Sequence, residues 1–379
     1  MLRKTLILTS ILTLTACNSD DRDNQTHNPT PTPTPPAYVE PEIIIVGHRG
    51  ASALRPEHTL EAYQKAIEDG ADFIEPDLVP TKDGYLVARH ENEIGGTTNV
   101  SELPQFADRK TTKIIDGVSL TGWFTEDFTL SELKQLKARE RIPDIRPQNT
   151  QYNDQFLVPT IEEIIELADQ HYQKTGKIIG LYIETKHPTY FQDLNLAMED
   201  RLLSSLAKYE YSRSIAPVYL QSFEVKNLQY LRSQLDRLNT LQHAKIIQLY
   251  SGQSSQPADA LKAGLGTTYG QLASAEGLKT VAQYADGVGP SKTYIVSNQG
   301  VITNFVSLAH AQGLKVHPYT LRPENDFLPD RLDCSPNPAE KCETGALAEF
   351  EIFFKAGVDG VFTDDPGLGR QAADLFLKQ

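Results

Sequence analysis

The sequence predicts an α/β fold of the (β/α)₈ TIM-barrel class. Short apolar runs of strand length recur at fairly even spacing, and helical stretches separate them. Charged residues follow several of these runs, as expected where catalytic groups collect at the carboxyl ends of barrel strands. The run at 287–289 is the weakest of the set. The predicted strands are residues 43–47, 71–76, 178–184, 218–221, 246–250, 287–289, 315–319 and 358–363.

The first predicted strand leads through a loop into a helix. Residues 43–47 are continuous, apolar and mostly β-branched, which is typical of a strand buried on both faces. Thr59 is a good N-cap, and apolar residues follow it at helical spacing as far as Gly70. His48 and Arg49 therefore lie where the first strand ends.

The second predicted strand folds back on itself as an antiparallel hairpin. The turn sequence at 81–84 separates it from residues 85–90, and this connection is too short for a parallel crossover. With the turn centred on those residues, His90 returns at the level of Glu75. The hairpin is thus expected to bring a second histidine to the carboxylates of the second strand.

The segment 91–159 is long for a plain loop, so we expect it to be an insertion over the active face. Within it, Thr129 and Glu132 have the spacing of a capping box at the start of a helix. Thr160 and Glu163 repeat that spacing directly after the insertion, ahead of a longer helical pattern. The barrel is expected to resume with that second helix.

The N-terminus indicates export. Residues 1–16 have the charged start and short apolar stretch of a signal peptide, too short to span a membrane as a helix. The letters before Cys17 resemble the lipobox of bacterial lipoproteins, which implies that Cys17 is lipidated and becomes the first mature residue. An ordinary secretory cleavage site with an incidental cysteine is the alternative. We expect an exported bacterial lipoprotein that faces the periplasm or sits in the outer membrane.

The next stretch is a tether. Residues 17–40 are rich in Pro, Thr, Asn and Asp, a composition that cannot bury a core and favours extended chain. We expect it to join the lipid anchor to a barrel domain at 41–379. The anchor is the only contact with a membrane that the sequence predicts.

Net charge and cysteine content limit the binding partners and the disulfides that we expect. Acidic residues outnumber basic ones by 50 to 36, giving a formal net charge of −14, which disfavours nucleic acid as a partner. Two cysteines remain after Cys17. Cys334 and Cys342 are close in sequence, and in an exported protein we expect a disulfide between them, with two unpaired thiols as the alternative. The sequence leaves the oligomeric state open.

Three acids predict a metal site. Glu75 and Asp77 are two residues apart on one strand and share a face, and Glu184 ends the third strand. An all-oxygen donor set suits a hard cation, Ca²⁺ or Mg²⁺. Zinc prefers nitrogen or sulfur, and the sequence has no Cys cluster or paired-His motif. We expect one divalent cation at these carboxylates.

The neighbouring residues predict phosphodiester chemistry. His48 and His90 can serve as general acid and base, because imidazole titrates near neutral pH. Arg49 and Lys186 can hold an anionic phosphate, the arginine through two hydrogen bonds and the lysine as a point charge. Together with a metal, these groups supply what cleavage of a phosphate diester requires.

Each feature taken alone has a plainer interpretation. His48 could cap a turn, Glu75 and Asp77 could be a solvated strand end, and Glu184 could form a weak same-face salt bridge with Lys186. We expect Glu57 and His58 to shape the loop and helix start rather than to touch substrate. The combination at successive strand ends is what favours a catalytic site.

Taken together, these residues resemble the glycerophosphodiester phosphodiesterase family, and most closely its periplasmic bacterial branch. The likeness runs from about residue 43 to the C-terminus, with mild departures at Glu91, where the family usually has Asp, and at Ala53, where Gly is common. The motifs that carry it are His48-Arg49-Gly50, Pro56-Glu57-His58-Thr59, Glu75-x-Asp77, Thr81-Lys82-Asp83-Gly84, His90, Glu184-x-Lys186, Gln221-Ser222-Phe223 and Asp359-Gly360-Val361-Phe362-Thr363-Asp364.

The resemblance implies a (β/α)₈ barrel that hydrolyses small-molecule glycerophosphodiesters to sn-glycerol 3-phosphate and an alcohol with a divalent metal. It implies that His48 and His90 are catalytic and that Arg49 binds phosphate. It implies metal ligation by Glu75, Asp77 and Glu184. Two rival functions keep the same barrel: cleavage of intact phospholipid, and a surface-binding lipoprotein without turnover.

Overall fold

The structure, a computed structural model, describes residues 38–238, 240–297 and 299–379. The predicted signal peptide, Cys17 and the predicted tether up to residue 37 lie outside these ranges. Tyr38 and Glu40, which we assigned to the tether, pack on the amino ends of the barrel strands. The Tyr38 ring lies 6.4 Å from that of Phe73, and the Glu40 carboxylate accepts a hydrogen bond from Tyr219 at 2.9 Å.

Most of the parallel strands are separated along the chain by one or more α-helices. The strands are β1 Ile44–His48, β2 Phe73–Glu75, β3 Asp77–Pro80, β4 Leu86–Ala88, β5 Thr111–Ile115, β6 Val118–Gly122, β7 Gly180–Thr185, β8 Val218–Ser222, β9 Lys245–Tyr250, β10 Gly287–Pro290, β11 Lys315–Val316 and β12 Gly360–Thr363. The α-helices are α1 Leu60–Glu68, α2 Leu130–Leu133, α3 Ile161–Thr175, α4 Pro188–Asp193, α5 Glu199–Lys208, α6 Val225–Arg237, α7 Ala258–Lys262, α8 Tyr269–Leu272, α9 Ala275–Val281, α10 Phe305–His310, α11 Glu343–Lys355 and α12 Pro366–Phe376.

The predicted TIM barrel is confirmed. Its parallel strands follow the order β11-β10-β9-β8-β7-β2-β1-β12, and each of the predicted runs overlaps one of them. Backbone hydrogen bonds between the chain after β11 and the start of β12 nearly close the ring, including Phe362 N to Pro318 O at 3.0 Å and Leu321 N to Phe362 O at 2.9 Å. The predicted run at 287–289 lies within the four-residue strand β10, whereas β11, with two residues, is the shortest strand.

Side chains fill the barrel interior and leave no pore. Aromatic rings meet at its centre, where Phe73 packs 4.8 Å from Tyr219 and 5.8 Å from Tyr182. Gly180 lets this layer form, because a Cβ there would lie 2.2 Å from the Phe73 ring. Further inward residues of this cluster are Ile44, Val46, Ile247 and Phe362.

The predicted hairpin forms, with a register one residue away from the expected one. β3 pairs antiparallel with β4 and places Leu78 opposite Ala88, while it also pairs parallel with β7. The turn holds three residues between Thr81 and Tyr85, whose backbone groups bond at 2.8 Å, and Gly84 takes a positive φ of 82°. His90 therefore returns at the level of Pro76 rather than Glu75.

The insertion contains local structure that the sequence pattern did not reveal. Residues of β5 and β6 form an exposed antiparallel hairpin. Asp116 and Gly117 join them with positive φ values of 48° and 84°. Both predicted capping boxes are present, at Thr129 and Thr160.

Two further features concern stability and membranes. Cys334 and Cys342 form a disulfide with Cα atoms 5.4 Å apart. Within residues 38–238, 240–297 and 299–379, no helix combines the length and apolar character needed to cross a bilayer.

Candidate active site

The site begins where β1 ends. The register of β1 with β2 sets His48 beside Glu75. Arg49 then takes a left-handed backbone conformation with φ 59°, which turns its N–H to the Glu75 carboxylate at 3.1 Å. Gly50 follows at φ 89°, and any Cβ there would lie 2.6 Å from the backbone of Ala62. A glycine is therefore required at this sharp exit from the strand.

Three carboxylates meet where β2 ends, β3 begins and β7 nears its end. One oxygen of each of Glu75, Asp77 and Glu184 lies within 4.8 Å of the others, and all three residues are buried. Asp77 and Glu184 are direct neighbours across the β3–β7 ladder. The Oδ1 atom of Asp77 is buried without a hydrogen-bond partner among the described residues. The geometry is that of an oxygen-donor cation site.

The electrostatics of this triad favour a cation. Burial, together with the charges of Asp77 and Glu184, raises the pKa of Glu75 well above its ordinary value. Burial also raises the pKa of Glu184 to about 7, although Lys186 opposes the change. A divalent cation would offset the mutual repulsion of the three carboxylates, so the residues present fit Ca²⁺ or Mg²⁺.

Neighbouring side chains hold the three carboxylates in place. His58 is fully buried and joins Asp77 Oδ2 through Nε2 at 3.1 Å, while its Nδ1 contacts the Tyr63 hydroxyl at 2.7 Å. Gln221 donates to Glu75 Oε1 at 2.8 Å. Such supporting hydrogen bonds orient metal ligands. We had expected His58 only to shape the loop and helix start, but it also orients the Asp77 carboxylate.

His48 pairs with a carboxylate from the opposite end of the chain. Its Nδ1 lies 2.5 Å from Asp364 Oδ1, and Asp364 also accepts from Arg146 at 2.6 Å and from Arg322 at 2.8 Å. Burial of Asp364 opposes its ionisation, but Arg322, Arg146 and His48 hold its pKa well below the ordinary value. Burial and Arg49 lower the pKa of His48 to about 4. The imidazole is therefore neutral, with its proton on Nδ1 facing an ionised carboxylate.

His90 forms a second histidine–carboxylate pair, on the hairpin arm. Its Nδ1 lies 2.6 Å from Glu91 Oε1. Arg141, from the insertion, donates two hydrogen bonds to Glu91 and two to Glu57. Burial, Arg49 and Lys186 lower the pKa of His90 well below its ordinary value. The charges of those two residues therefore act on the His90 ring.

The cations also contact the triad. Arg49 donates to Glu57 at 3.0 Å, and its Nε lies 3.5 Å from Asp77 Oδ2. Lys186 Nζ forms an ion pair with Glu184 Oε1 at 3.0 Å. The structure thus brings together every residue that the sequence assigned to metal, acid–base or phosphate binding roles.

The comparisons with known proteins agree with this arrangement. Residues 48–368 match the model of the glycerophosphoryl diester phosphodiesterase family. A glycerophosphodiester phosphodiesterase of Arabidopsis thaliana is 36% identical over 341 residues, covering 85% of this chain and 83% of the relative. One from Haemophilus influenzae is 29% identical over 90% of this chain and 91% of its own. The chain belongs to the glycerophosphoryl diester phosphodiesterase family.

Solved structures support the fold of this family member. A Silicibacter pomeroyi structure assigned to the glycerophosphoryl diester phosphodiesterases has a TM-score of 0.60 at 20% identity, over 89% of this chain and 95% of that one. An Oleispira antarctica phosphodiesterase in complex with the product sn-glycerol 3-phosphate has a TM-score of 0.52 at 20% identity, over 87% and 96% of the two chains.

The sequence argument missed the groups that hold the two histidines of this phosphodiesterase. Asp364 appeared only as the last residue of a motif in the family resemblance, with no role assigned to it. Arg141 and Arg146 lie in the insertion, where no local pattern marks them. Their one signal was chemical: two buried histidines at a barrel mouth need partners for both ring nitrogens.

Proposed function

We propose that this member of the family hydrolyses glycerophosphodiesters, such as glycerophosphocholine and glycerophosphoethanolamine, to sn-glycerol 3-phosphate and an alcohol. The observation that carries the proposal is the buried carboxylate triad flanked by two histidine–carboxylate pairs and two cations at one end of the barrel. We assign one divalent cation, Ca²⁺ or Mg²⁺, to Glu75, Asp77 and Glu184. When bound, the cation supplies positive charge to the phosphate oxygens.

Arg49 and Lys186 bind the phosphate in this mechanism. Both cations contact triad carboxylates, so a phosphate held by them lies against the triad. Their charges are in place before the reaction and oppose the negative charge that grows on the phosphorus oxygens in the transition state. Arg49 is fixed by Glu57 and by its own strained backbone, which keeps it oriented at little cost when substrate arrives.

We assign His48 the role of proton acceptor. Because its Nδ1 proton points at Asp364, Nε2 carries the free lone pair, and this atom lies 3.9 Å from a Glu75 oxygen. When His48 accepts a proton from the attacking hydroxyl, Asp364 stabilises the imidazolium. Detection of a cyclic glycerol phosphate during a single turnover would show that this hydroxyl is the substrate's own glycerol 2-hydroxyl, whereas direct attack by water forms no cyclic phosphate.

We assign His90 the role of proton donor to the leaving alkoxide. In the free enzyme, burial and the charges of Arg49 and Lys186 disfavour its protonated form. A bound phosphate diester between those two cations offsets their effect and favours protonation of His90. Glu91 accepts a hydrogen bond from His90 Nδ1. This contact fixes the ring so that Nε2 faces the substrate.

Release of sn-glycerol 3-phosphate from purified protein tests the proposal. We expect release from glycerophosphocholine, loss of release with a chelator, and recovery on addition of Ca²⁺ or Mg²⁺. Glu75→Gln should show no recovery, while the exposed Glu68→Gln should behave as the wild type. Release that persists after metal removal would contradict the metal assignment, and no release with any cation would contradict the activity. Phospholipid vesicles assayed in parallel would reveal cleavage of intact lipid.

We further propose that the protein is an exported lipoprotein anchored through Cys17 and facing the periplasm or set in the outer membrane. The N-terminal sequence supports this, and so does the Cys334–Cys342 disulfide, since disulfides persist in oxidising compartments. Labelled fatty acid should be incorporated into the wild type and not into Cys17→Ser. A soluble, unlabelled wild-type protein would contradict the proposal.

A further inference from the structure

A cavity opens beside the carboxylate triad. It has a volume of about 240 Å³, and Glu184 and Lys186 form part of its wall. The cavity is therefore continuous with the place where the phosphate is held. Beyond those two residues the wall contains aromatic rings and carboxylates that take no part in the proton transfers above. These are Asp116, Phe223, Glu224 and Tyr269.

The aromatic part of the wall forms a corner. The rings of Phe223 and Tyr269 are nearly perpendicular, at 82°, with centroids 6.1 Å apart. The Tyr269 hydroxyl donates to the backbone oxygen of Phe223 at 3.2 Å, which fixes the corner. The Lys186 ammonium lies 5.6 Å from the Phe223 centroid. This ring therefore already accommodates a positive charge on its face.

The carboxylates of the wall lack strong cationic partners. Glu224 is buried and accepts hydrogen bonds from the backbone and hydroxyl of Thr189. Asp116, at the tip of the β5–β6 hairpin, pairs with His187 Nδ1 at 2.6 Å. Within the described part of the chain, neither acid forms an ion pair with lysine or arginine. Burial raises the pKa of Glu224 to about 8, and the charge of Asp116 adds to the effect.

A neighbouring cavity on the other side of the site has the opposite character. It measures about 110 Å³ and lies against His48. The charged residues of its wall are four arginines and three acids: Arg49, Arg141, Arg146, Arg322, Glu57, Glu140 and Asp364. Because the arginines are in excess, this wall disfavours a positively charged substrate group, and the guanidinium N–H groups can donate hydrogen bonds to hydroxyl groups. The two cavities therefore discriminate the two ends of an asymmetric diester by charge.

We propose that the cavity lined by Asp116, Phe223, Glu224 and Tyr269 holds the leaving alcohol and selects alcohols that carry an ammonium group. This inference rests on the proposed function and adds to it the chemical class of the alcohol and the residues that choose it. The ammonium lies against the two ring faces and supplies the positive charge that the two carboxylates lack. The glycerol end then lies on the arginine side.

Two diesters that differ only in charge test the inference. In sn-glycero-3-phospho-3,3-dimethylbutanol a carbon replaces the nitrogen of glycerophosphocholine, so shape is kept and charge is removed. We expect kcat/KM of the wild type to be about tenfold higher for the choline ester. Asp116→Asn and Phe223→Leu should each reduce that ratio several-fold. Asp116 is exposed at a turn, so its variant is expected to fold with an unchanged Tm.

Glu68→Gln, on the outer surface of α1, is the matched control and should keep the wild-type ratio. Equal kcat/KM for the two esters in the wild type would overturn this inference and leave the proposed function intact. A wild-type preference that both cavity variants retain would overturn it as well. Hydrolysis of neither ester would overturn the proposed function, and this inference with it.

Discussion

The two histidine–carboxylate pairs of the site differ in how the fold builds them. The His48–Asp364 pair joins the ends of β1 and β12, with side chains that are 7% and 3% exposed. The His90–Glu91 pair stands on the hairpin arm and is held by Arg141 from the insertion, with side chains 28% and 30% exposed. The barrel itself provides one of the two proposed proton carriers, and added segments provide the other. Because its side chains are buried, the His48–Asp364 pair should tolerate substitution less well than the His90–Glu91 pair.

The largest effect is expected from removing either imidazole. His48→Ala and His90→Ala should each lower kcat by about 1,000-fold, because each loses one proton transfer. Added imidazole should partly restore His90→Ala, whose site is open to solvent, and should not restore the buried His48→Ala. Steady-state kinetics of folded variants measure this, with the exposed His310→Ala as control. Equal rescue of both variants would remove the distinction between the pairs.

The next largest effects are expected from replacing the carboxylate partners of the two histidines, and these effects should differ between the pairs. Asp364→Asn should lower kcat by about 100-fold and the free energy of unfolding by roughly 3 kcal/mol, because Arg146 and Arg322 lose their shared buried anion. Glu91→Gln should cost at most about 1 kcal/mol, since it is partly solvated. Urea denaturation and kinetics measure both. A loss of unfolding free energy in Glu91→Gln as large as that in Asp364→Asn would contradict the difference between the two pairs.

A substitution of Arg141 tests the His90–Glu91 pair without changing a contact of the His48–Asp364 pair. It binds Glu57 and Glu91, and Glu57 keeps Arg49 as a second partner after its loss. Arg141→Gln should lower kcat by about tenfold and raise hydrogen exchange in the insertion. Exchange in β1 should stay at the wild-type level. Faster exchange in both regions would show that the insertion also supports the barrel pair.

The disulfide should have the smallest effect on activity. It closes a loop with a sequence separation of 8 residues, which follows the segment that supplies Arg322. The Cys334→Ser, Cys342→Ser double variant should lose roughly 2 kcal/mol of unfolding free energy. Any activity loss should match that of an Arg322→Gln variant, and His90 should be unaffected. A larger loss of kcat than Arg322→Gln shows would contradict this view.

Local features of the fold were predictable from the sequence. The β1 run is apolar because both of its faces are buried, and the helix starts at Thr59, Thr129 and Thr160 depend on residues a few positions away. The β5–β6 hairpin was missed because its strands are mostly exposed and mix polar with apolar residues, so no buried face marks them. The Asp116-Gly117 pair is a strong hairpin signal and could have revealed it.

The site itself was partly predictable. Strand-end positions were enough to collect Glu75, Asp77 and Glu184, since parallel strands end at one edge. The partners of the histidines were not, because Arg141 and Arg146 reach the site through an irregular insertion whose path no periodicity encodes. The hairpin register also depended on whether the turn holds two residues or three, which moved His90 by one position.

Closure of the barrel by its first and last strands has a consequence for biosynthesis. His48 and Asp364 are separated by 316 residues, so a ribosome must complete nearly the whole polypeptide before the imidazole gains the anion that orients it. Nascent chains and fragments that stop short of β12 therefore lack the carboxylate that orients His48, the proton acceptor we propose, however much of the barrel they have formed. On this proposal, catalytic competence arises only when synthesis of the chain is nearly complete.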